Sequence, residues 1–502
     1  MSKATSSSHH FRLQVKYLPW LGLAALLLYQ AWMFYFRLPL SLGPRVIFEP
    51  WALRNGYFIY ENITDLHSPF MPWLLTVLGY IIPNGLRLAK LTLVGLLSLS
   101  TLFTFLVARR YLGNWAGLAA AALFVLWAPT IGFGKLWYEA FLAPAYLIYL
   151  LAYRPSNQPR TYKWWLFWGL FGGFTVLIKQ HAAPVLAAFL IWEGITALNT
   201  ERSKVSILCD LIFTGLISFI PLGIAFIFQI IQTGSAESMF YWIITYSFED
   251  TYSILASNPP NIGHLKFFIE INLLLLPALL GFGILVRTKN PAWKEIGLWL
   301  CTMISGAFVL YPRYGTWKLQ PILAIFILLA VWIVSIVLRS RQDQFTRAFS
   351  IGVVGIICVY WLLGNVPAHV SAIRNTEPRL ISEYSEPEAL AGQIREVVGE
   401  PKSIYIFVDD EATSNLYYLL NTPPPQYWIF HYPWYMTDNI KSRILASLQE
   451  SPPEWIVYLP GRWEMDKYAP ELINYVESNY QAESTLTFFT GPALLMRRIP
   501  GR

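Results

Sequence analysis

Five short stretches place ionisable side chains at the ends of apolar runs: Glu49 with Arg54 and His67, Lys135 with Glu139, Lys179 with His181, Lys266 with Glu270, and Arg313 with Lys318. Charged groups at membrane depth are costly and usually mark functional sites. If these ends share one face, they line a cavity with carboxylates and cations. A carboxylate can take a proton from a hydroxyl. Cations can stabilise charge developing on a phosphate. Together they suit group transfer from an anionic substrate.

Each residue also has an ordinary reading. Glu49 suits a helix cap before Pro50. Glu139 and Lys135 suit an interfacial ion pair. His67 precedes a proline turn, Lys179 suits a snorkelling lysine, and Arg313 and Lys318 suit loop cations.

The elements that must position these groups are membrane spans. Of 502 residues, 55% are hydrophobic and only 13% charged, about half the charge of a soluble protein. Aromatics reach 16% and include 21 Trp, which fits belts at both membrane interfaces. Spans of roughly 20 apolar residues are expected near 17–37, 86–107, 114–131, 137–153, 164–179, 182–198, 206–231, 265–287, 294–311, 319–338 and 347–366. The short ones predict tilted or broken helices around a cavity. Residues 1–16 read as a cytoplasmic tail, 17–366 as a transmembrane catalytic domain and 367–502 as a soluble extracytoplasmic domain.

Charge sets the orientation. The net charge is +7, but residues 1–366 hold about 26 Lys and Arg against about 13 Asp and Glu, and residues 367–502 about 11 against about 17. The basic excess lies in short loops, such as Arg109 and Arg110, Arg202 and Lys204, and Arg339, Arg341 and Arg347. That is a positive-inside pattern, not a nucleic-acid footprint. It puts the N-terminus in the cytoplasm and fits the plasma (inner) membrane. The first apolar stretch is long and lacks a small-residue cleavage site, so it reads as a span, not a signal peptide. Cys209, Cys301 and Cys358 lie in apolar stretches and suggest neither disulfides nor a metal site.

The first external loop, 38–85, is long and carries Glu49, Arg54, Glu61, Asp65 and His67. Its 69–82 piece reads as an interfacial helix. A second long loop covers 232–264. The sequon Asn62-Ile63-Thr64 is a weak three-residue match. Beyond Pro367 the pattern predicts helices at 384–399, 411–420, 438–448 and 468–477, and strands at 403–408, 455–459, 486–489 and 494–497. Alternating strands and helices make a small α/β domain.

Four motifs carry a family resemblance. The stretch EPWALRNGYFIY from Glu49 to Tyr60, followed by His67-Ser68-Pro69, resembles the first external loop of the GT-C membrane glycosyltransferases, including the protein O-mannosyltransferases and aminoarabinose transferases. KLWYE, from Lys135 to Glu139, is similar to that family's second acidic site. GGFTVLIKQ, from Gly172 to Gln180, is similar to its glycine-rich helix ending in Lys, and PRYGTWKLQP, from Pro312 to Pro321, to a late loop before a span. The first acid is usually Asp there and is Glu49 here.

The resemblance implies a GT-C-like multi-pass α-helical membrane protein with about 11 transmembrane helices and a C-terminal soluble α/β domain. It implies inverting transfer of a sugar from a polyprenyl-phosphate donor to a hydroxyl of a lipid, glycan or protein acceptor, within membrane lipid. Glu49 and Glu139 are then the catalytic carboxylates, with Glu49 the base. Arg54, Tyr60, His67, Lys135, Lys179, Gln180, His181, Arg313, Tyr314 and Lys318 are substrate contacts. A monophosphate leaving group beside cations needs no metal, although two acids on one face also suffice to bind a divalent cation. The rival class is a transporter or flippase of a lipid-linked or anionic solute, and a third is a ligase with a lipid diphosphate donor. A transporter needs polar groups accessible from both sides. It also often carries internal repeats, and none is evident.

Overall fold

A computed structural model describes the chain except residues 1–4, 133, 154–159, 199–201, 249–261, 291, 311–315, 340–343, 375–381, 426, 490 and 502. The chain divides into two compact units. One comprises residues 1–38, 91–220 and 260–378, and the other 39–90, 221–259 and 379–502.

Each of the eleven apolar stretches falls on a helical segment, from Thr5–Trp32 to Gln344–Arg374. Among the described residues, five segments are long and apolar enough to cross a membrane: Tyr17–Arg37, Gly85–Leu112, Lys204–Thr233, Trp293–Leu310 and Trp317–Ile336. The chain is therefore an integral membrane protein. In the first unit the Gln320–Arg339 helix is buried on every side from Ile322 to Ile333. A helix apolar all round belongs at the centre of a bundle, and this one packs on the helices Tyr138–Ala152, Asn114–Trp127 and Trp293–Gly306. Helices approach closely in membranes through small residues. Gly172 is one such contact: a Cβ there would lie 2.4 Å from Leu186 Cδ1, so the Tyr162–Ile178 helix closes on Ala183–Ala197 just before the Lys179 turn.

The second unit holds a four-stranded sheet in the order β1 (Ile404–Phe407), β2 (Trp455–Tyr458), β4 (Gly491–Arg498), β3 (Tyr480–Phe488). β1 and β2 are parallel, and the remaining pairs are antiparallel. β1 and β2 are buried at every position, matching their unbroken apolar runs. β3 and β4 are longer than their apolar cores predict because they pair as one hairpin.

The helix expected over 411–420 begins only at Asn415. The Thr413 and Ser414 hydroxyls bond to Asp409 and Asp410, and such local side-chain bonds compete with helix formation. The expected 69–82 helix runs from Phe70 to Ile81. The 232–264 loop contains an unanticipated helix, Glu237–Ile243.

Within this unit the 39–66 segment is tied to the C-terminal residues. Trp428 N–H donates to Asn62 O at 2.7 Å, and Thr64 N–H donates to Trp428 O at 3.1 Å. Asn415 Nδ2 donates to Leu42 O at 3.1 Å, and Phe48 packs on Trp428 and Tyr417. Trp428 is itself fixed, since its indole N–H donates to buried Asp409 at 2.7 Å.

Candidate functional site

Glu49 lies in the first turn of the short helix Phe48–Arg54, with Arg45 on the turn Pro44–Val46 before it. One helical turn separates them, so their side chains meet. Arg45 Nε is 3.6 Å from Glu49 Oε1 and 3.0 Å from Asp65 Oδ1. Asp65 also accepts from His67 N–H at 3.2 Å and lies 2.8 Å from His67 Nδ1. Tyr60, in a left-handed backbone conformation at φ 71°, donates from its hydroxyl to His67 O at 2.5 Å. The Arg45 guanidinium sits 5.5 Å from the Phe430 ring and bonds to Tyr435.

This cluster is closed off from solvent. Glu49 and Asp65 are both 0% exposed, and neither Glu49 carboxylate oxygen has a hydrogen-bond partner among the described residues. Burial pushes the Glu49 carboxyl well above the usual carboxylate range, the Asp65 charge pushes the same way, and Arg45 opposes both. Two like charges and little water favour holding a proton. A carboxyl of this kind is a strong proton acceptor once deprotonated.

The other charged cluster belongs to the first unit. Lys179 ends the Tyr162–Ile178 helix, and its Nζ donates to Glu139 Oε1 at 2.6 Å, both side chains being buried. Lys318 brings a second positive charge within electrostatic reach of Glu139. Lys135 Nζ lies 4.7 Å from the ring centres of both Trp137 and Trp317, a cation held between two indoles. Gln180 and His181 form the turn directly after Lys179. Two lysines, Lys179 and Lys318, act on the one carboxylate of Glu139, and Lys135 adds a third cation in the same unit, which leaves an excess of positive charge.

The loop that carries Lys135 is built tightly. Gln320 Nε2 donates to Gly132 O at 2.7 Å and to Lys135 O at 3.1 Å. Gly132 has φ 65°, and a Cβ there would lie 2.6 Å from the Trp317 backbone. Both the left-handed angle and the contact require glycine. Gly132→Ala should therefore destabilise the protein by about 2 kcal/mol or more, read as a lower midpoint of thermal unfolding in detergent. An unchanged midpoint would mean that the loop moves freely.

The expected contacts thus fall into two groups. Glu49, Tyr60 and His67 come together in one unit, and Lys135, Glu139, Lys179, Gln180, His181 and Lys318 in the other. Arg54 joins neither: its Nη1 donates to Gly79 O at 2.6 Å and so ties its helix to Phe70–Ile81. Arg313 and Tyr314 lie outside the described residues, as do the side chains of Lys266 and Glu270. Arg45 and Tyr435 were not anticipated, and Asp65 was read only as a loop charge. Arg45 four residues before Glu49, and Asp65 two before His67, were the available signals. Tyr435 had none, because only the tertiary fold brings it to Arg45. Away from both groups, Glu193 pairs with Arg160 and Asp210 with Arg202.

The sequence model of the family described as dolichyl-phosphate-mannose-protein mannosyltransferase matches residues 66–224. No curated protein sequence matches the chain. Among solved structures, ArnT from Cupriavidus metallidurans bound to undecaprenyl phosphate is similar over 96% of this chain and 98% of its own, with TM-score 0.55 and 12% identity. The Archaeoglobus fulgidus oligosaccharyltransferase tethered to an acceptor peptide is similar over 96% of this chain and 74% of its own, with TM-score 0.52 and 12% identity. The chain therefore has the fold of the GT-C membrane glycosyltransferases, as its four motifs suggested, with a small C-terminal sheet.

Proposed function

We propose that this chain is an inverting glycosyltransferase that moves a sugar from a polyprenyl-phosphate donor to an acceptor hydroxyl at the extracytoplasmic face of the plasma membrane. The observation that carries the reading is a buried carboxylate cluster around Glu49 in a chain that shares, nearly end to end, the fold of a protein bound to undecaprenyl phosphate. The positive excess of Lys135, Lys179 and Lys318 supports it.

Glu49 takes the proton from the acceptor hydroxyl while that oxygen bonds to the anomeric carbon. The bond from that carbon to the phosphate oxygen breaks on the opposite side, and polyprenyl monophosphate leaves. The transition state is oxocarbenium-like, so negative charge grows on the departing phosphate, where cations lower its energy. Arg45 bridges Glu49 and Asp65; the Asp65 charge raises the Glu49 proton affinity and the Arg45 charge tempers it. Lys179, Lys318 and Lys135 are assigned to the phosphate, and Glu139 holds Lys179 in place. No step runs through a divalent cation. The Glu49 and Asp65 carboxylates face Arg45, and Glu139 faces Lys179.

The donor assignment is tested by titrating the purified protein with undecaprenyl monophosphate. Hydrogen bonds to charged groups contribute about 1.5–3 kcal/mol, so Lys318→Ala should weaken binding about tenfold or more. Equal affinity in Lys318→Ala would remove Lys318 from the phosphate site. No binding by the wild type would remove the donor class.

A further inference from the structure

The C-terminal sheet carries a group of side chains that the transfer mechanism does not use. After β2 the chain makes three left-handed residues, Gly461 at φ 71°, Trp463 at φ 56° and Glu464 at φ 51°. Left-handed residues other than glycine are uncommon, and they persist where the surrounding structure holds them. Here they present the Trp463 ring, 39% exposed, to solvent. The ring is not loose: its indole N–H donates to Asp410 Oδ2 at 2.9 Å. Asp410 is buried and also pairs with Arg462 Nη2 at 2.7 Å.

A second aromatic wall stands across from Trp463. Tyr432 and Trp434 stack at 4.6 Å with 19° between their planes. Trp463 meets Tyr432 at 4.8 Å and 87°, and Trp434 at 5.9 Å and 79°. The three rings form a right-angled corner floored by a carboxylate and a guanidinium. Arg462 Nη1 is buried with no hydrogen-bond partner among the described residues. An unpaired buried donor is costly, a cost that a hydroxyl oxygen brought to the corner relieves.

We propose that this corner is a saccharide-binding platform that holds a sugar ring of the acceptor. A pyranose offers an apolar C–H face to an aromatic ring and hydroxyls at its rim to a fixed acceptor and donor. Few polar groups among aromatic walls are what orient a small ligand. The charged neighbours Glu464, Asp466 and Lys467 are exposed beside Trp463 and disfavour burial of this tip in lipid, where charge is expensive. Tyr432 packs on Tyr435 at 6.0 Å, and Tyr435 bonds to Arg45 of the carboxylate cluster. Assigning the sugar to the acceptor rests on the function proposed above, but the platform itself does not.

The test uses the full chain in nanodiscs and fluorescently labelled oligosaccharides of four to six mannose, glucose, galactose or N-acetylglucosamine units. At least one should bind. Trp463→Ala should weaken that binding tenfold or more, Trp463→Tyr less than threefold, and Arg462→Lys by an intermediate amount. Affinity for undecaprenyl monophosphate should be the same in all three variants. Saccharide loss confined to Trp463→Ala and Arg462→Lys supports the platform, even if the wild type binds no polyprenyl phosphate and the functional reading fails. Absence of binding by every oligosaccharide, or equal binding by wild type and Trp463→Ala, overturns it. So does a Trp463→Ala variant that binds sugar normally but exposes the domain to protease at the bilayer surface, which would make the corner a lipid contact.

Discussion

Glu49→Gln should lower the rate of sugar transfer by about 10²–10⁴, the usual share of general-base catalysis. The substitution keeps size and shape but removes the proton acceptor. Stability should not fall, because the neutral amide escapes both the cost of burying charge and the repulsion from Asp65. Affinity for polyprenyl monophosphate should survive, since the phosphate is assigned to lysines of the other cluster. The pH profile is a second readout. A base works only when deprotonated, and burial raises the Glu49 carboxyl above the ordinary carboxylate range. Activity should therefore climb with pH through that raised value and be low at the pH where a solvated Glu is already ionised. Asp65→Asn removes the like charge, so the acidic limb should move to lower pH. A limb unmoved by Asp65→Asn would show that another group sets it.

Lys179→Ala should be damaging in two separable ways. It removes a cation from the positive cluster and leaves Glu139 buried without its 2.6 Å partner. Breaking one side of a buried pair costs about 3–5 kcal/mol of stability. Removing a group that stabilises transition-state charge costs about 2.7–4 kcal/mol more in activity, roughly a hundredfold or greater. The double variant Lys179→Met with Glu139→Gln separates the two. It should recover most of the stability, because no charge is left unpaired, and little of the turnover. Lys179→Arg should recover only part, since a forked guanidinium does not fit an ammonium site. Recovery of activity in the neutral double variant would make the pair purely structural.

The helices were legible because each is a long apolar run and a lipid environment leaves the backbone few alternatives. The C-terminal strands were legible for a similar reason: β1 and β2 are short, continuous and buried. The site was legible only in its acids and in the lysines beside them. Glu49 announces itself by position, yet the burial of its helix depends on Trp428 and Tyr417, from a distant part of the chain, packing on its neighbour Phe48. Lys179 reads from sequence as a substrate contact, and its bond to Glu139, 40 residues away, is set by the fold. Arg54 reads as a substrate contact, but Gly79 O captures it once the neighbouring helix folds back. Such partners are chosen by tertiary structure, and local pattern carries no trace of them.

The most direct measurement follows both parts of the donor at once. The purified chain is mixed with a polyprenyl-phosphate sugar labelled in the sugar and with a membrane fraction of its own organism as acceptor. The account predicts that wild type moves label into the acceptor and releases one polyprenyl monophosphate per sugar, and that Glu49→Gln does neither at more than about a hundredth of that rate. Label that crosses a bilayer with its phosphate–sugar bond intact would make the chain a transporter. Wild-type transfer by Glu49→Gln would contradict the assignment of the base.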